Sequence, residues 1–442
     1  MIKTNDLEKL LELAAKSADQ AEIFALGEDF TTLGMENSEL KSASSSLLSG
    51  VSLRVVKNGR IGMSYSRSLS DPRTLLNMAL GALGGGSEFP CRFPCALFRK
   101  SPKTHDSGIS KLTAAKMAAE GVRVCKALKD AGGQVNVDGI EAGTSTIRVL
   151  NSSGADLAAR SSAYWLSASV LMPGSYSSVG TLTLGRNFVK TPDASLKRIK
   201  WLYKAAQRIA RPPSGRIKVL FLPETMYALM WRLSSALSAK NVFHKQSPLA
   251  DRLGQKVFSQ MLSIYDDPLD DSGPGARGFD DEGTVCKKLA LVERGAVKNF
   301  FSDLYYAHKL EMKPTGHGYR TTMFEGDALA LKPVPAARHL NMKPGSSSFD
   351  DMIAKMDRGV IVCGMLGAHS GNIVNGDFSV GLSPGIYVEN GEPAGGIKDA
   401  LITGNIYETL KNVVAVEDSA CRVRGGVFPA VLVDGISLSA RG

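Results

Sequence analysis

The chain of 442 residues is poor in cysteine, histidine and tryptophan, with six, six and three of each. Cys91, Cys95, Cys125, Cys286, Cys363 and Cys421 are too scattered to be a disulfide framework in a chain this long, so reduced thiols are expected. The close pair Cys91 and Cys95 has no second pair to complete a four-ligand zinc site. No histidine is followed by glutamate, and His308 and His317 are separated by Pro314 and Gly316, which excludes a shared helical metal face. No apolar run approaches the roughly 18 residues of a membrane span. The opening segment, with Leu7, Leu10, Leu11, Ala14 and Ala15 between charges, reads as an amphipathic helix rather than a signal peptide. A cytoplasmic protein without membrane attachment is the expectation. Phosphate-binding glycine loops, zinc fingers, helix-turn-helix signatures and internal repeats are also missing.

What is present is an ordinary globular composition, 43% hydrophobic and 22% charged, long enough for two or three domains at roughly 150 residues each. The net charge of +10 is spread thinly. Its densest basic stretch, Lys197 to Arg211, also carries the apolar stripe Leu196, Ile199, Leu202, Tyr203 and Ala206, so a solvated helix face explains it and nucleic-acid binding is not expected.

Antiparallel hairpins interleaved with separate helices predict an α+β fold: an N-terminal region of hairpins and helices, then a strand-rich C-terminal domain with a few helices. Asn58-Gly59 suits the two positive-φ positions of a type I′ turn and should pair Leu53 to Val56 with Ile61 to Tyr65. The glycines and prolines over 84–107 predict a linker or long surface loop. Helices are expected near 71–83, 110–131, 193–210, 224–238, 348–357 and 405–413, the last two opened by Ser348 with Asp351 and Asn405 with Glu408. Arg211-Pro212-Pro213-Ser214-Gly215 marks the main boundary, giving expected units of 1–108, 109–211 and 212–442.

Four constellations invite a chemical reading. Loop 314–320 could present His317 and Arg320 to a peptide or an anion. The acidic group Asp266, Asp267, Asp270, Asp271, Asp280, Asp281 and Glu282 could gather oxygens around a hard cation, but its spacing fits no EF-hand and a solvated turn is expected. His369, Ser370 and Asp377 contain the residue types of a nucleophilic triad without a nucleophile elbow, and turn residues near a strand are the expected account; His369 also stands as a candidate peptide contact. Met226, Leu229, Met230, Leu233, Ala236 and Leu237 form an apolar helical stripe, which predicts a core helix.

GVSLRVVKNGRIGMSYS, DDP followed by FDDEGT, the stretch from GMLGAHSGNIVNGDFSVG to IYVENGE, and ITGNIYETLKNV occur in series and resemble the TldD/PmbA family, long labelled modulators of DNA gyrase. The resemblance implies a paired metalloprotease, in which a TldD-type subunit carries zinc on an H-E-x3-H helix with a distant cysteine and a TldE-type (PmbA) subunit does not. Counting back from SPLADRLGQKVFS, the histidine positions fall on Met230 and Ser235 and the glutamate on Trp231. Cys421 lies near the region of the cysteine ligand, and its position is read as coincidental.

The resemblance therefore implies a catalytically silent TldE-like subunit with no catalytic or metal residues and no cofactor of its own. Zinc would be supplied by a TldD-like partner, the pair would enclose an unfolded peptide, and a homodimer would form when the chain is isolated. The competing expectations are a regulator that binds DNA or a topoisomerase, and a self-contained cation-dependent hydrolase.

Overall fold

A computed structural model describes residues 2–95, 102–322 and 326–440. It is α+β, with an antiparallel N-terminal sheet and helices followed by a strand-rich C-terminal part. In the first half, α1 (Thr4–Ala15), β1 (Gln20–Glu36), β2 (Glu39–Lys57), β3 (Arg60–Ser66) and α2 (Pro72–Gly81) are followed by α3 (Ala114–Lys129), β4 (Val135–Asn151), β5 (Asp156–Leu171), β6 (Ser178–Gly185) and α4 (Asp193–Ala206). Asn58 and Gly59 both have positive φ, and β2 pairs with β3 through Val56 opposite Ile61 and Ser52 opposite Tyr65, the register expected of that turn. Asp71 caps α2 through the amides of Arg73 and Thr74, with Pro72 in the first turn.

The six strands form one sheet in the order β3-β2-β1-β4-β5-β6. Strands from 1–108 and from 109–211 therefore share a sheet, because β1 pairs antiparallel with β4 along most of its length. The segment expected as a linker or long surface loop is a loop without helix or strand where described, anchored by Phe89, Cys91 and Phe93, which are buried with Val56, Ile61 and Leu304. Its stretch 96–101 lies outside the described residues.

Beyond Pro212 and Pro213 the chain enters β7 (Gly215–Phe221), a short 3-10 turn and α5 (Tyr227–Leu237). β7 is central in a nine-stranded sheet, flanked by the parallel strand Arg358–Val362 and the antiparallel strand Val431–Ala440. The apolar stripe of α5 packs on this sheet in a single buried cluster with Val219, Phe221 and Val433. A second, six-stranded sheet includes Ile264–Asp266, Leu340–Met342 and Cys421–Val423. Helix Phe349–Ala354 opens with a complete capping box between Ser348 and Asp351, and Asn405 caps helix Ile406–Lys411 through the Tyr407 amide.

The core does not stop at 212. α3, α4, β4 and β5 share a buried cluster with Leu220, Met352, Ile361 and Leu432. A smaller cluster seats Phe279 and Leu329 against Phe24, Val149 and Leu157 of the N-terminal sheet. This second contact brings the acidic segment of the C-terminal part onto β1, β4 and β5. Among the described residues, no helix is long and apolar enough to cross a membrane.

Candidate functional site

The expected solvated turn around Asp280 is instead a buried ion network. Asp280 folds the chain on itself, accepting from the amides of Glu282 (3.0 Å), Thr284 (2.8 Å) and Gly318 (2.8 Å). Burial, reinforced by the neighbouring Glu282, raises its carboxyl well above the ordinary range. Asp281 accepts from the Arg320 amide at 2.6 Å and pairs with the Arg277 guanidinium. Burial pushes Asp281 up, but these donors outweigh it and hold the carboxyl below its usual value. Glu282 receives Arg54 Nη1 at 3.1 Å and the Leu304 amide at 2.8 Å. Gly318 makes room for it, since a Cβ there would lie 2.3 Å from Glu282 Oε2.

Arg54 completes the network from the N-terminal sheet. Its Nε and Nη2 hold Glu22 in a bidentate pair at 2.8 Å, with both side chains buried. Asp281 is thus met by Arg277 four residues earlier, Glu282 by Arg54 of the N-terminal sheet and Asp280 by turn amides, so these carboxyls need no solvent. Asp267, Asp270 and Asp271 do keep partial exposure, and Asp270 pairs with Arg422 at 2.7 Å.

His317 is fully buried. Its Nε2 meets Asp266 Oδ2 at 3.2 Å and its Nδ1 meets Thr315 at 2.9 and 3.0 Å, so it supports the network and is closed to a ligand. Arg320 is closer to the expected role, because it lines a cavity of 650 Å³ between the N-terminal sheet and the C-terminal part. Phe24, Leu26, Ile147 and Ala159 supply an apolar wall on one side. Arg277, Tyr319, Arg320, Arg338, Arg422 and Arg424 face it from the other.

His369 sits on an exposed loop, and no triad is assembled around it. Asp377 Oδ1 accepts from Asn405 at 2.9 Å, and the main chain of the loop is held by Arg232. The Arg232 guanidinium is wholly buried and donates to the carbonyls of Asp377 (2.8 Å), Ala228 (2.8 Å), Ala368 (3.0 Å) and Ser370 (2.6 Å). Burial lowers its pKa, because no carboxylate answers it directly.

Arg232 belongs to α5, the helix on which the resemblance places the family's zinc ligands. Met230 is 2% exposed inside the core cluster, and Ser235 Oγ accepts from Asn241 Nδ2 at 2.8 Å. With Trp231 between them, the donor set is a thioether, an indole and a hydroxyl, which does not suit zinc. Among the described residues, no three histidine, cysteine, aspartate or glutamate side chains are grouped as a metal site requires. Cys421 is half-buried in a strand opposite Phe428, where burial raises its thiol pKa.

Sequence reasoning missed Arg54, Arg277 and Arg232. A signal existed for two of them: Arg54 interrupts the apolar run Val51 to Val56, and Arg232 interrupts the stripe of α5. A charge in such a setting needs a buried partner.

Comparison with known proteins places residues 214–440 on a model of the PmbA/TldA metallopeptidase C-terminal domain and residues 21–83 on domain 1 of the same family. A metalloprotease of Methanothermobacter thermautotrophicus is 27% identical over 440 residues, covering 94% of this chain and 91% of the relative. The crystal structure of TldE from Thermococcus kodakarensis has a TM-score of 0.88 at 23% identity, covering 98% of this chain and 100% of that one. A Thermotoga maritima structure described as a DNA gyrase modulator has a TM-score of 0.84 at 26% identity, covering 98% and 99%.

Proposed function

The chain belongs to the PmbA/TldA metallopeptidase family, and on that premise we propose that it is a TldE-like, non-catalytic subunit that pairs with a TldD-like metallopeptidase in cytoplasmic proteolysis. One observation carries the proposal: α5 is spent on structure. Its apolar face is core, Met230 is sealed within that core, and Arg232 ties down the 368–377 loop. Activating a water for peptide hydrolysis takes a metal with an open coordination position and a nearby base. The residues of α5 supply neither ligand nor base.

In this reading the chain contributes architecture and peptide contact, and its partner supplies the zinc and its chemistry. The full-length protein is purified alone and mixed with a TldD-like chain from the same source, and cleavage of an unfolded peptide is followed. Activity that needs both chains, and that a chelator removes, supports the proposal. Chelator-resistant cleavage by this chain alone contradicts it.

A further inference from the structure

The cavity against the N-terminal sheet holds guanidinium groups short of partners. Arg277 is 6% exposed; its Nη2 is paired with Asp281, whereas its Nη1 has no hydrogen-bond partner. Arg320 is 3% exposed; its Nη1 donates to Ser52 Oγ (3.0 Å) and the Leu331 carbonyl (2.9 Å), whereas its Nε and Nη2 are unpartnered. Glu22, the nearest carboxylate to Nη2, stands off at 3.6 Å and is already bidentate with Arg54. Buried donors of this kind are rare in native proteins, and each calls for an acceptor. Burial, together with the nearby Arg54, lowers Arg320 to about 10, outweighing the opposing pull of Glu22, Asp281 and Glu282.

The rest of the cavity narrows the acceptor. Arg338 and Arg424 stand exposed at its edge over the rings of Tyr319 and Trp165. Arg422 is engaged by Asp270. Opposite them, Phe24, Leu26, Ile147 and Ala159 form an apolar patch, edged on the same strands by Glu28, Ser145 and Ser161. A hydrated inorganic anion would answer the arginines and waste the apolar wall, and an apolar molecule would do the reverse.

We propose that this cavity binds an aliphatic ligand ending in a carboxylate, with the carboxylate on Arg277 and Arg320 and the apolar part on β1, β4 and β5. Two sources share that chemistry, the C-terminus of a peptide with an apolar last residue and a free aliphatic acid. The inference does not depend on whether the chain is catalytically silent.

The test is calorimetric titration of the full-length protein with N-acetyl-Leu-Leu as the free acid, its C-terminal amide, decanoate and inorganic phosphate. The free acid or decanoate is expected to bind at one site, at least about tenfold more tightly than amide or phosphate, the scale of a charge-assisted contact. Tighter binding of the peptide acid assigns the site to peptide ends, and tighter binding of decanoate assigns it to free aliphatic acids.

Arg277→Gln should weaken binding by about tenfold or more. Ala159→Trp, on the facing sheet, should abolish it without lowering the melting temperature. If Arg277→Gln does not fold, the acid-to-amide ratio and Ala159→Trp decide the matter. Amide binding as tight as the tighter of the two acids, phosphate binding as tight as that acid, no binding at all, or affinity unchanged in both variants overturns the proposal.

Discussion

Arg54 of the N-terminal sheet and Glu282 of the C-terminal part meet at 3.1 Å with both side chains almost fully buried, and Arg54 at the same time grips Glu22 of the adjacent strand. One guanidinium thus joins two parts of the molecule that are 228 residues apart in sequence. It also fixes the wall from which the cavity is built, since Glu22 and Phe24 lie two residues apart on β1.

Arg54→Met should destabilise the protein by about 3 to 5 kcal/mol, because it strands Glu22 and Glu282 in a dry interior. Arg54→Lys should recover only part of that loss, since a point charge cannot reproduce the fork on Glu22. Urea denaturation checks both, and a loss below about 1 kcal/mol for Arg54→Met would show that the network is dispensable.

Asp303 gives the fold a pH signature. Burial and the adjacent Glu282 raise its carboxyl from 3.8 to about 7. The folded state therefore keeps a proton that the unfolded state has already released. The stabilisation is present at low pH and declines as pH rises from about 4 through about 7. Its full span is on the order of 4 kcal/mol. Asp303→Asn should remove that slope and leave the variant more stable than the parent at pH 8, while still capping the Tyr306 amide that Asp303 now caps at 2.7 Å. Thermal melts across pH 5 to 8 read the difference, and parallel curves for the two proteins would refute the assignment.

Arg232→Met matches the apolar surroundings of α5 but leaves carbonyls of the 368–377 loop without a donor. Each contact to a buried guanidinium is worth about 1.5 to 3 kcal/mol, so a loss of at least about 3 kcal/mol is expected. Hydrogen exchange should rise first in the loop rather than in α5. Uniform acceleration across the C-terminal part would place the role of Arg232 in the helix instead.

The thiols should divide cleanly. Cys95 is exposed, whereas burial raises the pKa of Cys91 to about 12 and also pushes up Cys125, Cys286, Cys363 and Cys421. Native protein at pH 7.5 should release one fast equivalent with an aromatic disulfide reagent, the half-buried Cys363 and Cys421 more slowly, and the buried Cys91, Cys125 and Cys286 only on unfolding. Cys95→Ser should erase the fast phase.

Much of the fold was legible because local chemistry and tertiary packing agreed. Asn58-Gly59 set a hairpin, Ser348 and Asp351 started a helix, and the stripe from Met226 to Leu237 was the core face it resembled. The acidic run was misread because Arg54, the counter-charge of Glu282, lies 228 residues away in the chain, and Arg277, four residues from Asp281, is as compatible with a solvated turn as with a buried pair. The described part of 84–107 is the loop its composition implies, but the cover found by Phe89, Cys91 and Phe93 was hidden because proline and arginine space them without period. The shared sheet of 1–108 and 109–211 follows from the long β1 and β4 pairing, a register set by two remote strands.

The central claim, that α5 carries structure where the family's catalytic subunits carry zinc, is tested most directly by zinc analysis of the purified chain after equilibration with zinc and gel filtration, alongside a peptide-cleavage assay on the same sample. Zinc well below one equivalent, with no cleavage until a TldD-like chain is added, is the predicted result. One equivalent of zinc retained by this chain, together with cleavage by it alone, would contradict the account.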